Sequence, residues 1–161
     1  MLQNNKVNAK TGIIILVILL IACLDHATKL AILYYLSFKN YNFEVFPFLN
    51  FILVFNPGIS FGFLGDGGET QRILLTMFAS VVALALTFWA IISDKASIKI
   101  SLAMIAGGAV GNAIDRVLYG AVVDFIDFHY KNFHWPAFNI ADAAITIGVA
   151  IVIIDGLLSR S

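Results

Sequence analysis

The stretch Gly107–Asp142 reads GGAVGNAIDRVLYGAVVDFIDFHYKNFHWPAFNIAD, and the rest of the chain is arranged around it. It starts inside an apolar, glycine-rich segment and ends where the next apolar segment begins. Polar and ionisable side chains are concentrated between these two segments: Asn112, Asp115, Arg116, Asp124, Asp127, Asn139 and Asp142. Ionisable groups beside so much hydrocarbon are costly and usually functional in membrane proteins, so this stretch is the leading candidate for a site.

The composition indicates an integral membrane protein. The chain has 161 residues, of which 60% are hydrophobic and 12% are charged, whereas soluble domains are about 25% charged. The formal net charge is zero, so no basic field indicates nucleic acid. Cys23 is the single cysteine and has no partner for an internal disulfide. No CxxC or HExxH pattern is present, and the spacing of His26, His129 and His134 fits no helical metal pair, so neither a metal nor another cofactor is expected.

Four apolar segments are long enough to cross a membrane. The sequence predicts crossings at about 12–36, 73–92, 98–116 and 140–158, within a single domain that spans residues 1–161. Between Phe43 and Phe63 apolar residues recur with period two, which is strand periodicity, and Asn56-Pro57-Gly58 is a turn signal. An aromatic-rich β segment is therefore predicted at the membrane interface.

Four crossings place both termini on one side of the membrane. Lysines and arginines divide equally between the two sides, but they are denser on the terminal side because it has far less sequence. The positive-inside rule therefore predicts cytoplasmic termini, with residues 37–72 and 117–139 outside. Most polar groups of the crossings and their connections then lie near the outer face, as an active site requires. They are Asp25, Lys29, Asn56, Asn112, Asp115, Arg116, Asp124, Asn139 and Asp142.

Asp124 and Asp142 are predicted to be a pair of catalytic carboxylates. Like charges close together cannot both ionise cheaply, so one member of such a pair keeps a proton. The ionised member can activate water while the protonated member hydrogen-bonds the scissile carbonyl, as in an aspartic protease. Helix capping by Asn139 with Asp142 is the simpler alternative. Asp127 is interpreted as a solvated loop residue.

Other interpretations stay open. Asp25 with Lys29 can be a structural ion pair within the bundle. Asn112, Asp115 and Arg116 share a helical face and can be an interface ion pair that ends the helix. Gly58–Gly62 matches the GxSxG pattern, although the chain predicts no α/β hydrolase.

The main alternative class is a small transporter that uses these ionisable residues as an ion path. Its site would lie near the bilayer midplane, with Asp124 and Asp142 far apart. A further pattern, the segment leading to Cys23, looks like a lipoprotein signal peptide, but apolar sequence continues beyond the cysteine.

The chain resembles the bacterial lipoprotein signal peptidase (signal peptidase II) family. Five motifs carry the resemblance, in order and between four crossings: Asp25-x-x-Thr28-Lys29, Asn56-Pro57-Gly58-Ile59-Ser60-Phe61-Gly62, Gly107–Arg116, Val122-Val123-Asp124-Phe125 and Phe138-Asn139-Ile140-Ala141-Asp142. Each motif alone is weak, but together they are specific. Two positions differ from the family pattern: Ala143 follows Asp142 where serine is usual, and Ile59-Ser60 replaces small alanines.

The resemblance implies a membrane α-helical fold, with four transmembrane helices, a small extracytoplasmic β-sheet cradle and an interfacial segment. It implies a metal-independent aspartic endopeptidase that removes the signal peptide from diacylglyceryl-modified prolipoproteins, cleaving before the lipidated cysteine. The catalytic dyad of the family falls on Asp124 and Asp142. The substrate-binding or supporting residues fall on Asp25, Lys29, Asn56, Gly108, Asn112, Arg116, Asn139 and Ala141.

The resemblance also implies partners and a location. The expected partners are lipid-modified prolipoproteins, membrane lipid and inhibitors of the globomycin type, with no nucleic acid, and the protein is expected to be a monomer. The expected location is the bacterial cytoplasmic (inner) membrane, in which the multi-pass chain holds its active site near the outer face.

Overall fold

The computed structural model describes residues 2–36, 38, 42–58 and 68–159, which form four helices and a small sheet. The helices are α1 (Leu2–Leu36), α2 (Glu69–Ile92), α3 (Ala96–Tyr119) and α4 (Ile140–Leu158). The strands are β1 (Asn42–Phe46), β2 (Leu49–Asn56), β3 (Val122–Tyr130) and β4 (Phe133–His134). They pair antiparallel in the order β1-β2-β3-β4.

All four helices are long and apolar enough to span a membrane, and in α1 the spanning part is Thr11–Leu36. Large apolar side chains such as Phe78, Leu84 and Ile154 point outward from the bundle. This is the arrangement expected where lipid rather than water is the solvent, because burying such side chains gains nothing against lipid tails. The predicted fold class, four membrane helices with a small β-sheet, is confirmed.

Helix α3 is the centre of the bundle and packs against each of the other three helices. Small residues allow the close approach. A Cβ added at Gly107 would lie 2.9 Å from the Ile21 Cβ of α1, and one at Gly148 of α4 would lie 2.7 Å from the Ser101 carbonyl oxygen. Backbones can approach this closely only where side chains are absent, which is a common basis of helix packing in membranes.

The sheet lies against the end of the bundle where α1 and α3 finish and α4 begins. Phe125 of β3 packs in an apolar cluster with Ile32 and Leu36 of α1. The predicted strand periodicity over Phe43–Phe63 corresponds to β1 and β2, and its last five residues lie outside the described part of the chain. The predicted turn at 56–58 follows β2, where Gly58 has φ +88° and its N–H donates to Asn56 Oδ1 at 2.8 Å.

The interpretation of Asp127 as a solvated loop residue was wrong. Asp127 lies within β3 and is only 3% exposed. It stands directly opposite Asn50 of β2, whose Nδ2 donates to Asp127 Oδ2 at 3.0 Å. On the other side His134 Nδ1 lies 2.9 Å from Asp127 Oδ1. These neighbouring-strand partners replace water and allow the carboxylate to be buried.

Candidate active site

Asn139 joins the two predicted catalytic carboxylates. Asp124 lies near the start of β3, and Asp142 lies in the first turn of α4. Asn139 Nδ2 donates to Asp124 Oδ1 at 2.7 Å, while the Asn139 backbone N–H donates to Asp142 Oδ2 at 3.3 Å. The Asp142 N–H returns a bond to Asn139 Oδ1 at 2.9 Å, completing a capping box. The helix cap that the simpler alternative predicts is therefore present. The capping residue, Asn139, also bonds to both carboxylates.

Two further amides complete the coordination of the carboxylates. Asn56 Nδ2, at the end of β2, donates to Asp124 Oδ2 at 2.9 Å. Asn112 Nδ2, on α3, donates to Asp142 Oδ1 at 2.8 Å. Each of the four carboxylate oxygens therefore receives one N–H from a neutral amide. These four donors are neutral, and they fix the direction of both acids.

Burial is the dominant influence on the ionisation of Asp124. Its residue surface is 2% exposed, and this desolvation raises its pKa from 3.8 to about 6. Desolvation is the largest contribution to this net rise of the pKa; the negative charge of Asp142 adds to it, and the bonds from Asn56 and Asn139 and the charge of Lys29 partly offset it. Asp124 therefore holds a proton to a higher pH than an exposed aspartate does.

A buried ion cluster lies next to the carboxylates. Lys29 Nζ lies 2.7 Å from Asp25 Oδ2 and 2.7 Å from Asp115 Oδ2, and it donates to Asn112 Oδ1 at 3.2 Å. Asp115 Oδ2 also accepts the Val123 N–H at 2.9 Å. The predicted Asp25–Lys29 pair is present, but the sequence did not indicate that Asp115 joins it. The cluster ties α1 and α3 to the strand that carries Asp124.

Two of the predicted site residues, Gly108 and Ala141, have no polar side chain and act through the backbone. The Ala141 N–H donates to Asp25 Oδ1 at 2.9 Å. A Cβ at Gly108 would lie 2.5 Å from the Ala141 carbonyl oxygen, and a Cβ at Gly111 would lie 2.7 Å from Asp25 Oδ2. Glycine at both positions lets α1 and the first turn of α4 approach α3. This approach sets the position of Asp142.

Arg116 and Gln71 border the site and keep unused polar atoms. Arg116 Nη1 donates to the Asn112 carbonyl at 3.2 Å, while its Nε is buried and bonds to no described residue. Gln71 Nε2 donates to the Pro57 carbonyl at 3.4 Å, and its buried Oε1 has no described partner. Sequence reasoning missed Gln71; the only signal was a polar residue just before an apolar run.

An apolar groove leads along the membrane-spanning part of the bundle towards Arg116. The groove has a volume of about 590 Å³, and its walls come from α1, α2 and α3, including Ile18, Leu84 and Ile114. A smaller cavity of about 190 Å³ shares Thr76 and Val117 with it and reaches Arg116. An apolar groove thus lies beside a cavity that has a cationic side chain in its wall.

The remaining sequence patterns are the histidines and the GxSxG pattern. Among the described residues, no group of three His, Cys, Asp or Glu side chains is arranged to hold a metal. His129 and His134 stack on the sheet, whereas His26 lies on α1. Ser60 of the GxSxG pattern lies outside the described residues. Asp124 and Asp142 share one hydrogen-bond network, contrary to the expectation for a transporter.

Comparison with known proteins identifies similar chains. A family model described as "Signal peptidase (SPase) II" matches residues 17–158. The lipoprotein signal peptidase of Cupriavidus necator is 40% identical over 158 residues, covering 96% of this chain and 89% of that protein. That of Polynucleobacter necessarius is 49% identical over 111 residues, 68% of each. A bacterial membrane enzyme solved by the in meso method at 2.3 Å is 34% identical, with a TM-score of 0.76 over 93% of this chain and 90% of that one.

Proposed function

Because the chain belongs to the signal peptidase II family, we propose that it removes the signal peptide from lipid-modified prolipoproteins, with Asp124 and Asp142 as its catalytic carboxylates. Cleavage occurs before the lipidated cysteine. The observation that carries the mechanism is the bridge through Asn139, which donates one N–H to each carboxylate. An aspartic protease requires two oriented carboxyl groups in one partly desolvated site.

The two carboxylates have different roles. Asp124, whose pKa is raised to about 6 by burial, is the member that carries the shared proton and donates it to the scissile carbonyl oxygen. Asp142 takes a proton from water as the water oxygen attacks the carbonyl carbon. The tetrahedral intermediate then collapses: Asp142 gives its proton to the amine nitrogen of the lipidated cysteine as the C–N bond breaks, and Asp124 takes back the proton from the hydroxyl that becomes the new carbonyl oxygen.

The surrounding residues hold this geometry. Asn112 and Asn56 aim the carboxylates, and Lys29 offsets the negative charge of the site. Arg116 keeps a buried donor that is available to a substrate carbonyl. The supporting or substrate-binding set is Asp25, Lys29, Asn56, Gly108, Asn112, Arg116, Asn139 and Ala141.

The apolar groove supports a lipid-bearing substrate. Its walls come from α1, α2 and α3, and a smaller cavity that shares Thr76 and Val117 with it is lined by Arg116, so acyl chains can lie there while the peptide bond reaches the acids. Globomycin-type inhibitors are proposed to occupy the same site. We place the protein in the bacterial inner membrane, as a monomer, with cytoplasmic termini and the site near the outer face.

Substitution of each acid tests the mechanism. Asp124→Asn and Asp142→Asn should each lower cleavage of a lipidated prolipoprotein by about 10²–10⁴-fold, the range of lost acid–base catalysis. The double variant should be little worse than either single one, because residues that act as a unit are not additive. Product formation by the purified protein, followed on gels, measures this.

Asp127→Asn is the matched control, because Asp127 is a buried aspartate on the same strand as Asp124. It should retain most activity, and cleavage by the unmodified protein should survive EDTA. Normal cleavage by both Asp124→Asn and Asp142→Asn would remove the aspartic mechanism. An inactive Asp127→Asn beside an active Asp124→Asn would mean that the wrong acid had been chosen.

A further inference from the structure

Gln71 is a buried polar residue at the start of a helix whose other side chains are mostly apolar. It lies in the first turn of α2, and its residue surface is 3% exposed. Along α2 only Ala83 and Ala90 are buried as well. Burying an amide is unfavourable unless it is hydrogen-bonded. An apolar side chain would fill this position at lower cost, so the role of Gln71 lies in what its amide contacts.

The amide contacts the turn that follows β2. Gln71 Nε2 donates to the Pro57 carbonyl at 3.4 Å. The next residue, Gly58, lies against Leu75, because a Cβ added at Gly58 would be 2.7 Å from Leu75 Cδ1. Gln71 and Leu75 are four residues apart and share one face of α2. Two successive turns of α2 therefore support the backbone of Pro57 and Gly58.

The same turn orients the amide of Asn56, which bonds to a proposed catalytic carboxylate. Asn56 Nδ2 donates to Asp124 Oδ2 at 2.9 Å, and Asn56 Oδ1 accepts the Gly58 N–H at 2.8 Å. Asn56 is exposed, so packing contributes little to its orientation. The direction of its Nδ2 donor therefore depends on where the backbone of Pro57 and Gly58 is held.

We propose that Gln71 is a positioning residue, which holds the turn at Pro57 so that Asn56 donates to Asp124. This inference rests on the proposed catalytic role of Asp124. The contacts form one sequence, from the Gln71 amide to the Pro57 carbonyl, through the adjoining Asn56, to the carboxylate. The simpler alternative is that Gln71 only fastens α2 to the sheet and contributes to stability.

The pH dependence of kcat/KM separates the two roles, because it reports the ionisation of the free enzyme. The bond from Asn56 lowers the pKa of Asp124, so loss of that bond should let Asp124 keep the shared proton to higher pH. Gln71→Met has a similar length and removes both polar atoms. It should lower kcat/KM for a lipidated prolipoprotein by about tenfold through misplacement of the site. It should also move the alkaline limb upward by about 0.3–1 pH unit, the effect of one neutral hydrogen bond.

A double-variant comparison shows whether Gln71 acts through Asn56. Asn56→Ala should move the alkaline limb in the same direction as Gln71→Met. The variant with both changes should move it no further than Asn56→Ala alone, because residues in one chain of contacts are not additive. A shift that adds to that of Asn56→Ala would overturn the proposed route.

Asn50→Met is the matched control. It removes another amide on β2 that donates to a carboxylate of β3, since Asn50 Nδ2 donates to Asp127 Oδ2 at 3.0 Å. It should leave the alkaline limb in place. The charged groups that influence the pKa of Asp124 or interact with its charge are the same in all these variants: Asp142, Lys29 and Arg116.

Two failures would be distinguishable. An unmoved alkaline limb in folded Gln71→Met would leave Gln71 with a structural role only and overturn the inference. An active Asp124→Asn protein would instead overturn the catalytic role on which the inference rests. Thermal unfolding in detergent shows that each variant is folded. If Gln71→Met does not fold, Gln71→Asn keeps an amide that is one methylene too short for Pro57, and it should give the same shift.

Discussion

At the scale of single residues, the burial that raises the pKa of Asp124 also makes stability depend on pH. A folded-state pKa of about 6 against 3.8 means that the folded protein binds this proton more tightly than the unfolded chain does. The resulting stabilisation is complete below about pH 4 and is lost as pH rises through 6. A pKa difference of two units between the folded and unfolded states corresponds to about 3 kcal/mol in the free energy of unfolding.

Asp124→Asn should therefore remove this pH dependence. As pH rises from 4 to 7, the free energy of unfolding of the unmodified protein should fall relative to that of the variant. Urea or thermal unfolding in detergent at each pH measures this. Asp127→Asn provides the comparison. Parallel curves for the unmodified protein and Asp124→Asn across this range would show that the pKa of Asp124 is not raised.

Substitution of Lys29 should strongly destabilise the protein. It is fully buried between Asp25 and Asp115, so its loss leaves two buried carboxylates without a cation. Removing one partner of a buried ion pair costs about 3–5 kcal/mol, and Lys29→Ala should lower the free energy of unfolding by that amount. Lys95→Ala removes a partly exposed ion pair with Asp155 and should cost less than about 1 kcal/mol. Equal costs for the two variants would contradict the proposed importance of the cluster.

Sequence patterns indicated most of the polar residues of the site but not their pairing. Asp25 and Lys29 were paired correctly because both lie on one helix, four residues apart. Asp115 comes to Lys29 from another helix, and Asp127 is buried by a neighbouring strand. Such partners depend on tertiary packing, which the spacing of residues along the sequence does not predict.

At the scale of elements, the first turn of α4 is part of the site. Asn139→Ala should remove both the cap and the donor to Asp124, lowering stability by about 1 kcal/mol as well as activity. Asn139→Ser keeps a capping oxygen but loses the Nδ2 donor, so it should be nearly as stable as the unmodified protein while activity still falls. Thermal unfolding and the cleavage assay separate the two effects. If Asn139→Ser were fully active, the bond to Asp124 would have no part in catalysis.

The helices were predictable because lipid demands long apolar segments, and β2 was predictable because its side chains alternate with period two. Strand β3 was not predicted. Its first four residues, Val122–Phe125, are all buried, since one face meets the bundle and the other forms the site. A strand buried on both faces shows no alternation in sequence.

At the scale of the whole molecule, the proposed orientation can be tested by labelling. With Cys23 replaced by serine, Lys95→Cys and Lys131→Cys introduce single thiols at opposite ends of the bundle, both exposed. A membrane-impermeant maleimide should label position 131 and not position 95 in cells with a permeabilised outer membrane, or in intact cells if there is none. Position 95 should react only after the inner membrane is opened. The reverse pattern would invert the protein in the membrane.

Helix α3 is the least apolar of the four spanning helices and the most buried within the bundle. It carries Asn112, Asp115 and Arg116, and the cation that neutralises Asp115 lies on α1. During synthesis α3 therefore enters the bilayer with an aspartate, Asp115, for which it carries no paired cation. Helix α1, which carries that cation, has already been made when α3 emerges. Lys29 is thus available before Asp115 enters the membrane. In a ribosome-bound intermediate, α3 should stay in the membrane only when Lys29 is present upstream.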